Sequence, residues 1–234
     1  MSWVSKLTLA LLVAALLCLL PPAVRADSVI FSDLGSSPSV YSDGGYSVSG
    51  SASAAGGFVE PAFSFTVGAS SYDLTQIDLA LTNYSGTNGS VTVELVNDSG
   101  GLPGSTVLGS WTFSSLPANG STNTTLQTES GITGITLSAD TTYWLEVFVT
   151  NGTSNTYDLW NYNNQGVTGT DAENTGTGFL SGGTATVGAF DVLGTAIAAP
   201  EPSSLLLLGS GLAALSLLAA LTRRKNLLGS SPLA

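Results

Sequence analysis

The sequence predicts an all-β fold: a single antiparallel β-sandwich of jelly-roll-like type, set between an N-terminal signal peptide and a C-terminal transmembrane helix. Three observations predict it. Short segments alternate apolar and polar residues with period two, and turn sequences rich in Gly, Asn and Asp separate them. All five basic residues, Lys6, Arg25, Arg223, Arg224 and Lys225, lie in the two terminal stretches, beside the only long apolar runs.

At the N-terminus Lys6 precedes the apolar stretch Leu7 to Leu20, Pro21-Pro22 breaks the helix, and Val24-Arg25-Ala26 offers compact residues for cleavage. Residues 1–26 therefore read as a secretory signal peptide cut after Ala26. Cys18, the single cysteine, falls within that peptide. What is exported has no disulfide, no thiol nucleophile and no thiolate metal site, and its stability must come from a packed core.

Residues 27–193 read as one extracytoplasmic domain. In Gln76 to Thr82, Ile77, Leu79 and Leu81 share a face opposite Asp78, Ala80 and Thr82. In Ser90 to Val96, Val91, Val93 and Leu95 point inward, with Thr92 and Glu94 outward. In Thr142 to Thr150, Tyr143, Leu145, Val147 and Val149 share a face opposite Trp144, Glu146 and Phe148. Both faces of that segment are largely apolar, which predicts a central strand covered on both sides. Further strands are expected at Ser28 to Phe31, Phe63 to Val67, Thr106 to Phe113, Ile132 to Leu137, Tyr157 to Tyr162 and Thr184 to Val192. Asp43-Gly44-Gly45, Asn88-Gly89, Asn97 to Gly101, Asn119-Gly120 and Asn151-Gly152 read as turns between them.

Charge bounds the function. The domain contains no Lys, Arg or His and is purely acidic, so it has no internal salt bridge and no cationic handle for phosphate. Nucleic acid is excluded as a partner. A Ser-His-Asp site is excluded by the lack of His. Glu60, Asp78, Glu94 and Glu146 could supply a carboxylate pair, but they fall on polar strand faces where solvation accounts for them, so the expectation is a protein that is not an enzyme. Calcium is the one cofactor the composition suits, with Asp171, Glu173 and Asn174 expected together in one loop; the Gly-rich turn at Asp98 is explained as well by turn formation. Trp111 and Trp160, with Trp144, Tyr143 and Tyr162, offer rings for stacking on sugars, against the alternative that they are core. Asn83, Asn88, Asn97, Asn119, Asn123 and Asn151 begin Asn-x-Ser/Thr sequences, which the abundance of those residues explains without glycosylation.

At the C-terminal end, residues 194–202 read as a linker holding Pro200-Glu201-Pro202, residues 203–222 as a transmembrane helix and residues 223–234 as a basic cytoplasmic tail. The run from Ser203 to Leu221 is uncharged and rich in Leu and Ala, and Arg223-Arg224-Lys225 marks the cytoplasmic side. Physics alone leaves two outcomes open: a permanent single-pass anchor, or a span that is later removed.

Pro-Glu-Pro, a short Leu/Ala-rich span and an Arg-rich cluster, in that order, resemble the PEP-CTERM sorting signal of Gram-negative bacteria that make extracellular polysaccharide. The resemblance assigns sorting roles to Pro200, Glu201, Pro202, Arg223 and Arg224. It implies an exosortase-type membrane transpeptidase as partner, residence in the inner membrane before sorting, and a destination at the cell surface or in the exopolysaccharide matrix. Asn97-Asp98-Ser99-Gly100-Gly101-Leu102-Pro103-Gly104, followed by Ser110-Trp111 and Thr142-Tyr143-Trp144-Leu145, resembles the choice-of-anchor domains, bacterial surface β-domains with no assigned catalytic role. The expected function is therefore that of an exported, non-enzymatic surface or matrix protein. The alternative is a carbohydrate- or calcium-binding adhesion module held permanently by its C-terminal helix.

Overall fold

A computed structural model describes residues 26–121 and 123–197, together with the single positions 209, 211, 216 and 220. The chain divides into one unit ending at Ala196 and a second beginning at Ile197. The predicted signal peptide, apart from Ala26, and nearly all of the predicted span lie outside the described residues; Gly209, Gly211, Ser216 and Ala220 are helical. Among the described residues no helix is long and apolar enough to cross a membrane.

The described residues of the first unit are all β. Its strands are β1 (Ser28–Ser32), β2 (Tyr41–Ser49), β3 (Glu60–Thr66), β4 (Tyr72–Leu79), β5 (Leu81–Ser85), β6 (Ser90–Asp98) and β7 (Pro103–Ser114). They continue with β8 (Gln127–Ser130), β9 (Thr136–Leu137), β10 (Thr142–Val149), β11 (Tyr157–Asn163), β12 (Thr168–Asn174), β13 (Phe179–Thr186) and β14 (Phe190–Ala196). Three antiparallel sheets result: β1-β14-β4-β8 with β9 also on β4, β13-β12-β3-β10-β6-β7, and β2-β11-β5. One apolar core joins all three, drawing Leu74, Ile77 and Val192 from the first sheet, Phe63, Val93 and Leu145 from the second, and Val48, Leu81 and Trp160 from the third.

The period-two segments account for the centre of this arrangement. β10 lies between β3 and β6, with Leu145 opposite both Phe63 and Leu95, and is buried on both faces as expected. The segment from Gln76 to Thr82 is divided at Ala80, whose amide bonds Ala189 O at 3.0 Å. β4 stays in the five-stranded sheet and β5 enters the three-stranded one, so a single apolar alternation feeds two sheets.

Three expectations need correction. Asp43-Gly44-Gly45 lies inside β2 rather than in a turn. A Cβ on Gly45 would meet Trp160 O at 2.4 Å, so glycine serves close approach between β2 and β11. The small residues Gly194 to Ala196, read as linker, extend β14, with Gly194 opposite Leu74 and Ala196 opposite Tyr72. The supposed loop holding Asp171, Glu173 and Asn174 is β12, sandwiched between β3 and β13.

Candidate functional site

The carboxylates nearest to a site stand on the face of the six-stranded sheet that turns away from the main core. There Ala62, Val96, Trp144 and Ala172 form a second small cluster, with Leu102 and Phe179 packed against it. Strand alternation puts Glu60, Glu94 and Glu146 on this same face: Glu146 is directly opposite Glu94 on β6 and Ala62 on β3. Glu60 and Glu146 are each only 8% exposed, so the expectation that they are simply solvated is overturned.

Their electrostatics follow from burial without any cation nearby. Burial, foremost, pushes Glu146 up to about 8; the charges of Glu60 and Glu94 and a hydrogen bond shared with Glu94 push the same way. Burial also raises Glu60, partly offset by the 2.7 Å hydrogen bond that Asn174 Nδ2 donates to Glu60 Oε2. Ser110 Oγ donates to Glu94 Oε1 at 3.0 Å. Near neutral pH Glu146 therefore keeps its proton, which fills the place a Lys or Arg would take in most proteins. Such a carboxyl can hold and release a proton.

A second acidic group gathers on the five-stranded sheet, where Asp191 lies opposite Ser32 and Asp78. Asp33 Oδ1 accepts from Phe190 N at 2.7 Å, while its buried Oδ2 has no hydrogen-bond partner. Burial first, and Asp191 after it, raise Asp33 to about 8. Asp78 accepts hydrogen bonds from Gln76 Nε2 and Thr128 Oγ1. In the third sheet, burial raises Asp158 to about 6 although Asn83 Nδ2 donates to its Oδ1 at 2.7 Å.

The residues expected to bind calcium are not brought together. Asp171 and Glu173 stand opposite Phe63 and Pro61, whereas Asn174 stands opposite Glu60, so alternation places Asn174 on the other face of β12. Asn174 is also engaged, donating to Glu60 and accepting from Gly176 N and Gly178 N. No group of three or more acidic residues able to hold a metal ion is found among the described residues.

The stacking expectation fails for Trp160. Its ring is fully buried, edge-on to Phe63 at 4.7 Å, and its Nε1 donates to Ala189 O at 3.1 Å. Trp111 is half-buried against the core and folded over Gly109, where a Cβ would meet its ring at 2.5 Å. The exposed ring is a different one: Tyr84 packs on half-buried Tyr157 with centroids 4.9 Å apart and planes 51° apart. Nothing in the local sequence marks Tyr84, which follows the apolar alternation of β5 and faces solvent at its end.

Asp98 has a structural use that joins the two short motifs of the middle region. Its Oδ2 accepts from Gly101 N at 3.2 Å and its Oδ1 accepts from Trp144 Nε1 at 2.8 Å. The turn and the Tyr-Trp strand are thereby tied together. Sequon asparagines serve likewise: Asn88 bonds Leu116 through both its amide atoms, Asn97 Oδ1 accepts from Thr106 N, and Asn119 Oδ1 accepts from Thr82 and Asn161.

Of the sorting residues, Pro200, Glu201, Pro202, Arg223 and Arg224 lie outside the described residues, and Ala26 is exposed just before β1. No curated protein matches the chain. Residues 198–225 match the family model described as PEP-CTERM protein-sorting motif. Since the last strand ends at Ala196, the first unit is followed directly by that motif, and the chain carries the signal by which an exported protein is passed to the membrane enzyme exosortase.

Proposed function

We propose that this chain is a non-enzymatic surface or matrix protein, whose β-sandwich is delivered by exosortase-type processing at residues 198–225 to the exopolysaccharide layer of a Gram-negative cell. The observation that carries the reading is the sorting motif beginning just after the closing strand β14. The acidic groups of this sheet fit a structural role, because buried Glu60 and half-buried Glu94 and Asp98 spend their hydrogen bonds on Asn174, Ser110, Trp144 and Gly101 of the domain itself. The resemblance of the Asp98 turn and the Tyr143-Trp144 strand to choice-of-anchor domains supports the same reading, and the Asp98 to Trp144 hydrogen bond gives those two motifs a common structural purpose.

C-terminal peptide mapping of protein from envelope and medium fractions of its own host tests this. A Glu-specific protease is needed, since no Lys or Arg lies between Arg25 and Arg223. The expected result is a last mapped residue near Pro200, with peptides from Ser203 onward missing. Recovery of the intact tail from the inner membrane would overturn the reading in favour of a permanent anchor.

A further inference from the structure

Charge is distributed over the strands in an unusual order. Every strand with a hydrogen-bonded neighbour on both sides, namely β3, β4, β6, β10, β11, β12 and β14, contains at least one Asp or Glu. Of the edge strands, β1, β5, β7 and β13 contain none, whereas β2 and β8 hold one each. Sheet proteins ordinarily do the opposite and put charge on edges to stop them pairing with other chains. The same four strands also carry exposed large apolar side chains: Val29, Tyr84, Val107 at 49% and Leu180 at 68%.

Only the six-stranded sheet is uncharged at both ends. In the other two sheets the opposite edge holds a carboxylate, Glu129 on β8 and Asp43 on β2. Among the described residues β7 is paired to β6 alone and β13 to β12 alone, so each keeps one rim of backbone N–H and C=O groups unpaired within the sheet. Both edges have a bulge, but pairing is unbroken from Gly109 to Ser114 on β7 and from Gly183 to Thr186 on β13. The even number of antiparallel strands makes β7 and β13 run in opposite directions, so a second copy placed by translation presents β13 antiparallel to β7.

From this we infer that copies of this chain join head to tail, β7 of one to β13 of the next, extending the six-stranded sheet. The partner is a second copy because the two uncharged edges of one sheet run in opposite directions and so offer each other an antiparallel mate. The domain has no basic residue with which to pair its own carboxylates across an interface, so copies repel one another everywhere except along uncharged strips. Since β7 and β13 are different surfaces, the contact does not close on itself and the assembly grows in one dimension. This inference is independent of whether the C-terminal segment is cut.

The test is sedimentation velocity on the full-length chain in mild detergent across a hundredfold range of concentration, at low and high salt. Expected is a series of oligomers that grows with concentration and grows further with salt, which screens carboxylate repulsion. Val107→Glu, opposite Val96, and Thr184→Glu, opposite Thr170, place a carboxylate on each edge without a like charge across its own ladder. Each variant alone is expected to stay monomeric, with circular dichroism unchanged. An equimolar mixture of the two is expected to give dimers, because one intact β7 and one intact β13 remain. A single species at every concentration, dissociation by salt, or oligomers indifferent to both substitutions would each overturn the inference. Dimers that persist in Thr184→Glu alone would overturn it in favour of β7 pairing with β7.

Discussion

The two faces of the six-stranded sheet are buried to similar degrees by different means. On the inner face Phe63, Val93, Leu95, Leu145 and Val147 are wholly enclosed by other apolar side chains. On the outer face of the same strands Trp144, Glu146 and Glu60 are almost as inaccessible, yet they are polar: Trp144 and Glu60 are hydrogen-bonded and Glu146 keeps its proton. Burial by itself therefore does not reveal what stabilises a strand; the inner face is held by area removed from water, the outer face by polar groups that must stay satisfied.

Breaking the inner face is expected to have the largest effect. Leu145→Ala removes a side chain with no exposure and should cost about 2 to 5 kcal/mol, read as a fall in the urea midpoint with unchanged slope. A cost below about 1 kcal/mol would mean that the site collapses freely and the two faces do not differ as described.

The outer face should instead respond to pH. Glu146 titrates near its ordinary 4.5 in the unfolded chain and at about 8 when folded, so between those values the folded state binds a proton that the unfolded state has lost. Stability is then complete below about 4.5 and falls as pH rises through about 8, by at most about 1.4 kcal/mol per pH unit for this one group. Asp33, also raised to about 8, and Asp158, raised to about 6, act in the same direction. Thermal midpoints are expected to drop between pH 5 and pH 9. Glu146→Gln should match the natural protein at pH 5, exceed it at pH 9, and so flatten the profile; parallel profiles would show that Glu146 is not the group responsible.

Trp144→Phe keeps most of the apolar ring but removes the donor to Asp98. A loss of about 1 to 3 kcal/mol is expected, smaller than for Leu145→Ala, together with faster hydrogen exchange at Gly101 as the turn loosens. An unchanged exchange rate would show that Asp98 does not depend on the indole. The smallest effect belongs to the exposed hydrogen bond between Thr66 and Thr142: Thr66→Val should change stability by no more than about 0.5 kcal/mol in differential scanning calorimetry.

Strands β6 and β10 were legible in the sequence because one side of each is wholly apolar, and the period of two follows directly from the backbone. β2 and β12 were not, because Asp43-Gly44-Gly45 and Thr168 to Asn174 have the composition of turns. Their place as strands depends on partners distant in the chain, such as the Trp160 backbone that comes up against Gly45. The same limit applies to the acidic residues. Alternation correctly put Glu94 and Glu146 on the face opposite the core, but whether that face meets water depends on Phe179 of β13 and Leu102 of the β6–β7 turn packing against the cluster that holds Trp144. Trp160 shows the converse, since a polar-looking neighbourhood of Asp158, Asn161 and Asn163 belongs to strand positions that are themselves buried.

β14 leads from the first unit towards the sorting motif, and it is an internal strand, hydrogen-bonded to β1 on one side and to β4 on the other. Antiparallel hydrogen bonds lie across the strand axis. Tension applied through the C-terminal end would thus draw β14 lengthwise between two ladders and strain many bonds at once. An edge strand attached at the same place would peel away one bond at a time. A chain that leaves from the middle of a sheet makes the domain resist being pulled open from that end.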